Sequence, residues 1–192
     1  MLRRVFLFLA LIPAAYAALP LGHPLPDVLI SLDGGKKLNL RQYRGKALVV
    51  AMISTTCSHC VEVVGILNRI QQEGAAHGLQ VVAVSGDEYG LGAIRPFISR
   101  YRPDFPVGYV DKPGFIKLAN LRPDARPFVP ILMFVDPKGQ VRQQFYGDQA
   151  QMRAPEPTIR STLNELIKEL APPTPKKAAP VKPPDSRQPP QN

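Results

Sequence analysis

The residues of this chain best suited to chemistry are Cys57 and Cys60, its only two cysteines, set in the run Cys57-Ser58-His59-Cys60. Two thiols at this spacing can close into a disulfide and reopen without rearranging distant chain. The run stands where an unbroken apolar stretch of strand length, residues 47–53, gives way to residues 61–70. In that second segment the apolar positions 63, 66, 67 and 70 describe one buried helical face. Cys57 is therefore expected at a helix N-terminus, where unpaired N–H groups and the positive end of the helix dipole favour a thiolate. The thiolate is the attacking and the departing species of disulfide exchange. A purely structural staple accounts poorly for the pair. Closing a four-residue loop is worth only about 2 kcal/mol, against about 3 for a fifteen-residue loop. Half of a zinc site is no better, because no third cysteine exists and the remaining histidines, His23 and His77, form no paired spacing.

The elements that must position the pair follow from the surrounding pattern. Residues 26–32, a turn at Asp33-Gly34-Gly35 and residues 37–40 read as an N-terminal β-hairpin. The strand 47–53 and the motif helix come next, the helix ending between Gly74 and Gly78. Residues 80–85 form a second buried strand. A helix over 93–101, with Pro96 in its first turn, and an extended segment over 106–110 make a central strand–helix insertion. A short helix over 114–121, a strand over 128–135, a turn at 136–139 and a returning strand over 140–146 follow. An amphipathic helix over 158–170 closes the domain. The order predicts an α/β fold with a mixed central sheet flanked by helices. Pro130 has two readings. It is either a plain strand-starting proline, since it cannot donate to a sheet ladder, or the second residue of a cis bond after Val129. Composition favours neither strongly, as about one X-Pro bond in twenty is cis.

The two ends read differently from the middle. Residues 1–17 carry Arg3 and Arg4, an apolar core over 5–12 and Ala15-Tyr16-Ala17, the pattern of a cleaved signal peptide. The apolar stretch, interrupted by Pro13, falls short of the ~20 residues of a spanning helix, so the mature chain is expected not to span a membrane. Export implies a periplasmic or otherwise extracytoplasmic setting that permits disulfide chemistry. Residues 171–192 hold eight prolines and a net charge of +3 with almost no bulky apolar residues, and read as a disordered, Pro-rich basic tail. Residues 18–170 then form one domain. Without the two leader arginines and the tail's +3, the formal charge of +9 falls to +4 for the domain. That charge is scattered, with no Lys/Arg stripe interleaved with aromatics, which excludes nucleic acid as an expected partner.

The order and spacing of the hairpin, the Cys57-Ser58-His59-Cys60 run, the insertion ending in Phe105-Pro106-Val107, Val129-Pro130, Asp136-Pro137-Lys138-Gly139 and Gly147 resemble the thioredoxin-like fold. More narrowly they resemble the exported TlpA and ResA group of thiol-disulfide oxidoreductases in the AhpC/TSA-redoxin superfamily, over residues 25–170. The resemblance implies that Cys57 is the exposed attacking thiol and Cys60 the buried resolving one. It implies that Pro130 is cis and abuts the pair, with Val129 backbone groups aligning a substrate peptide. It also implies that the redox-active disulfide takes the place of any metal or organic cofactor. The partners it implies are protein thiols or disulfides and a membrane redox partner. Three positions depart from the family pattern: Thr56 replaces a tryptophan, Ala51 a buried acid, and Gly65 a proline. His59 and Val129 are similar to the corresponding positions of the oxidant DsbA. With Thr56, His59 is a tuning residue in this reading: a partly protonated imidazole near Cys57 stabilises the thiolate, and stabilising the reduced form makes the disulfide more oxidising. Glu62 and Glu88 are read as solvated, either being a substitute proton acceptor only if it approaches Cys60.

Two other activities share parts of this pattern. A peroxiredoxin-like thiol peroxidase resembles Pro-x-x-x-Thr/Ser-x-x-Cys; Ser54 fits, but Val50 stands where proline is expected. A Sco-type copper chaperone needs one more residue between the cysteines and a later histidine, and none follows His77.

Overall fold

A computed structural model describes residues 22–170 of the protein. The expected signal peptide, residues 1–17, and the Pro-rich tail, residues 171–192, lie outside the described residues. No described helix is long and apolar enough to cross a membrane.

The elements run β1 (His23–Pro24), β2 (Leu29–Leu32), β3 (Lys37–Asn39), β4 (Ala47–Ile53), α1 (Ser58–Gly74), β5 (Leu79–Ser85), α2 (Ile94–Tyr101), β6 (Val107–Tyr109), α3 (Lys112–Leu118), β7 (Ile131–Val135), β8 (Gln140–Phe145) and α4 (Pro155–Leu170). One mixed sheet of eight strands takes the order β1-β8-β7-β4-β5-β6-β2-β3. At its centre β4 runs parallel to β5 and antiparallel to β7.

All seven residues of β4 are buried, which explains its continuous apolar run. Ala47, Val49, Ala51 and Ile53 face one core with residues of α1, α2 and α4. Leu48, Val50 and Met52 face the other, with Phe115 and Leu118 of α3 and Leu38 of the hairpin. The helical face read at 63, 66, 67 and 70 is the buried face of α1. On the solvent side Arg160 bridges Glu73 and Glu156, and Arg69 joins Glu156, so charged side chains tie α1 to α4. These arginines hold the Glu73 and Glu156 carboxyls below their ordinary range.

Several boundaries move from the sequence expectation for local reasons. Helix α3 starts at Lys112, earlier than expected, because the Asp111 carboxylate accepts the Gly114 N–H at 2.9 Å and caps it. Helix α4 starts at Pro155, a residue type suited to a first helical turn. The strand expected over 128–135 begins at Ile131, since Pro130 has no N–H for the ladder. The two-residue edge strand β1 pairs with β8 and has no counterpart in the sequence expectation, being too short to show a pattern of its own. The β2–β3 hairpin extends the sheet by pairing β2 with β6.

Candidate active site

Strand β4 ends at Ile53, and a tight corner over residues 54–57 reverses the chain into α1. The Cys57 N–H bonds the Ser54 carbonyl at 3.3 Å, and the Ser54 and Thr56 hydroxyls lie 3.2 Å apart. Cys57 is the residue that caps α1: its backbone is extended, and its Sγ accepts the Cys60 N–H at 3.3 Å. One unpaired amide of the first helical turn is thus spent on the first sulfur. The expected position of Cys57 at the helix N-terminus is the observed one.

The two thiols differ in environment. Cys57 is half-buried and Cys60 is fully buried, and both are free. Burial pushes the Cys60 thiol far above its ordinary range, and a hydrogen bond between the two thiols pushes the same way. The Ser54 N–H, 3.5 Å from Cys60 Sγ, pulls it only partly back. Cys60 is therefore held as a neutral thiol under the exposed edge of Cys57.

The corner has a second support that sequence reading missed. Asp87, just beyond β5, accepts both the Thr55 N–H at 2.8 Å and the Thr55 hydroxyl at 2.7 Å through Oδ2. Its Oδ1 is buried and has no partner among the described residues. The consecutive amides of Ser54 and Thr55 thus point at Cys60 and Asp87. The signal available in sequence was only the acidic pair Asp87-Glu88 after a buried strand. Glu62 and Glu88 are both exposed, which agrees with their solvated reading.

The other sequence-selected residues divide. The Val129–Pro130 bond is cis. Because Met52 pairs with Ile131, the first residue of β7, Pro130 just before it lies beside the C-terminal end of β4, where the motif begins. Pro130 is buried, while Val129 is half-buried and packs against both cores. Gly147 leaves room for this segment: a Cβ there would stand 2.5 Å from the Val129 carbonyl oxygen. His59 is exposed in the first turn of α1 and makes no hydrogen bond among the described residues. Thr56 is exposed at the corner. Among the described residues no group of three or more His, Cys, Asp or Glu side chains is arranged to hold a metal ion.

Comparison with known proteins gives concordant results. The family model described as AhpC/TSA family matches residues 21–159. The chain is 26% identical over 153 residues to thiol-disulfide oxidoreductase ResA of Bacillus thuringiensis subsp. konkukian (strain 97-27), covering 79% of each chain. It is 24% identical over 130 residues to thiol-disulfide oxidoreductase ResA of Geobacillus kaustophilus (strain HTA426), covering 68% of this chain and 71% of that one. Among solved structures it is similar to a thiol:disulfide interchange protein of Chlorobium tepidum TLS, a thioredoxin family protein. That match has a TM-score of 0.60 and 19% identity, and covers 74% of this chain and 97% of the other. A secreted disulfide oxidoreductase of Mycobacterium tuberculosis matches with a TM-score of 0.56 and 14% identity, covering 70% and 96%. The fold is thioredoxin-like, as the order of motifs implied.

Proposed function

The chain belongs to the AhpC/TSA family, and from that membership we propose that it is a thiol-disulfide oxidoreductase exchanging disulfides with exported proteins through Cys57 and Cys60. The observation that carries the reading is the asymmetry of the pair: one half-buried sulfur at a helix N-terminus above one buried, neutral thiol.

The exchange runs in two displacements. In the reducing direction the Cys57 thiolate attacks one sulfur of a substrate disulfide, and the other substrate sulfur leaves as a thiolate. Cys60 then attacks Cys57 Sγ as its proton passes to the substrate thiolate released in the first displacement, forming the Cys57–Cys60 bond and releasing the second substrate sulfur as a thiolate. The oxidising direction is the reverse: a substrate thiolate attacks Cys57 Sγ of the disulfide form, and Cys60 leaves. The buried, proton-holding Cys60 suits the second displacement, because it reacts only when the mixed disulfide presents Cys57 Sγ beside it. Val129, ahead of Pro130, is the segment that aligns the substrate backbone. Phe128, next in chain and 65% exposed, gives that side an apolar contact suited to a protein substrate.

Hydrogen bonding from the Cys60 N–H to Cys57 Sγ supports the reduced form, and His59, exposed two residues after Cys57, is the tuning residue of this reading. In this reading the couple is more oxidising than that of thioredoxin, whose potential is about −270 mV. The leader reading of residues 1–17 supports a site outside the cytoplasm, with a membrane protein resetting the pair. A peroxidase finds less support. Val50, where that motif needs proline, sits mid-strand in β4 between Val82 and Met133, a ladder position proline does not fill. Equilibration with glutathione buffers, read by thiol labelling, tests the proposal. A two-electron couple above about −270 mV that vanishes in Cys57→Ser is expected. An unexchanging pair, or insulin reduction unaffected by Cys57→Ser, refutes it.

A further inference from the structure

The strand-to-helix corner that holds Cys57 opens on one side into a groove of about 430 Å³, lined by Thr55 and Thr56 of the corner, Tyr89 of the loop after β5, Pro96, Phe97 and Arg100 of α2, and neighbouring residues. Its walls are mostly apolar. Phe97 is buried and packs on Tyr101 with ring centroids 4.8 Å apart. Tyr89 is 60% exposed at the rim. Among the described residues Arg100 is the only charged one lining the groove. Its guanidinium lies 5.4 Å from the Tyr101 ring centroid, and no carboxylate of the described residues pairs with it. Its helix neighbour Arg95 by contrast is paired with Asp33. Arg100 is thus a cation oriented by an aromatic ring and left free to receive an anion.

Resting on the oxidoreductase reading, we infer that this groove docks an extended segment of the client protein flanking its cysteine, and that Arg100 selects a carboxylate side chain in that segment. The contacts explain the choice of occupant. An extended peptide linked through its cysteine to Cys57 passes the Thr56 corner and can lay apolar side chains between Tyr89 and Phe97. A small amino thiol such as glutathione brings an ammonium as well as carboxylates, and among the described residues no acidic one lines the groove to receive it. The groove lies on the insertion side of Cys57, built by α2 and the loop after β5, so it is separate from the Val129 segment, which α2 does not contribute to. Arg100 is a specificity residue in this scheme and takes no part in the sulfur chemistry.

The test uses the full-length protein in its disulfide form. The probes are capped nine-residue peptides with one central cysteine, in which a single Asp or Lys is moved through every other position. Attack of the peptide thiolate on Cys57 Sγ breaks the Cys57–Cys60 bond and is followed by quenching and mass analysis. At low ionic strength one placement is expected to favour Asp over Lys by about threefold or more, the range of an exposed ion pair, and salt is expected to erase the preference. The Asp/Lys ratio falls to about one in Arg100→Ser, inverts in Arg100→Glu and persists in Arg100→Lys. Because each ratio is taken within one variant, a general loss of reactivity does not imitate the effect. Exchange of reduced wild-type protein with hydroxyethyl disulfide, uncharged and small, reports separately on the cysteines. If it proceeds while every peptide ratio stays near one, or if Arg100→Glu keeps the Asp preference, the groove assignment is overturned and the oxidoreductase reading stands. If glutathione outpaces every Asp peptide in an Arg100-dependent way, the occupant is a small thiol and the assignment is again overturned. If hydroxyethyl disulfide does not react at all, both readings fall.

Discussion

Replacing Asp87 with alanine removes the carboxylate that holds the corner ahead of Cys57. Two hydrogen bonds are lost, from the Thr55 N–H and the Thr55 hydroxyl. A bond to a charged group contributes about 1.5–3 kcal/mol. The two share a single oxygen, Asp87 is only half-buried, and water reaches Thr55 in the variant, so the expected loss is about 2–3 kcal/mol rather than the full sum. For a domain of this size that lowers the thermal midpoint by about 4–12 °C. Asp87→Asn keeps an acceptor for Thr55 but puts an amide donor where Oδ1 is buried without a partner. It should fall between alanine and wild type. The assay is urea unfolding of the reduced protein beside the rate of exchange with hydroxyethyl disulfide. The rate is expected to fall in the same order as stability, because the corner carries the cysteine. An Asp87→Ala loss within about 0.5 kcal/mol, the range of an ordinary surface substitution, with an unchanged rate would refute the idea that Asp87 fixes this corner.

Gly147→Ala drives a methyl group against the Val129 carbonyl and Pro130 nitrogen, where only backbone can yield. It is expected to cost about 1–3 kcal/mol of stability, as overpacking does, and to slow exchange with protein substrates more than with hydroxyethyl disulfide; equal slowing of both would argue against a substrate role for Val129. Cys60 makes the reduced protein sensitive to alkali. Its thiol is raised in the folded state above the ordinary 9.0, so folded and unfolded chains are both neutral there at low pH and the contribution to stability is complete. Above about pH 9 the unfolded chain ionises first, and stability falls by about 1.4 kcal/mol per pH unit until the folded thiol also titrates. Denaturation of reduced wild type against Cys60→Ala from pH 8 to 10.5 measures the difference. Parallel curves would contradict the burial assigned to Cys60.

The sequence carried most of the fold because its signals were local and strong. The apolar run of β4 and the single face of α1 each need only their own residues to be recognised, and the motif between them is fixed by their meeting. The hydrophobic pattern was less informative at boundaries set by single side chains. Asp111 caps α3 through its carboxylate, and Pro130 delays β7 by lacking an N–H, effects that average hydrophobicity does not register. Strand β1 is two residues long and has meaning only through β8. The site divides along the same line. Cys57 and Cys60 declared themselves by spacing. Asp87 reaches Thr55 from 32 residues away, and Arg100 lines the groove beside that corner, placements that only the folded sheet creates. His59 is near Cys57 in sequence, yet it is exposed and has no hydrogen bond among the described residues, a placement that spacing alone does not reveal.

The difference between the two sulfurs is measured most directly by timed alkylation of the reduced, native protein at neutral pH, with each cysteine followed by peptide mass analysis. The account predicts that Cys57 is modified first and that Cys60 is protected until the domain is unfolded. Equal labelling of the two, or a Cys57 that stays unmodified while Cys60 reacts, would contradict it.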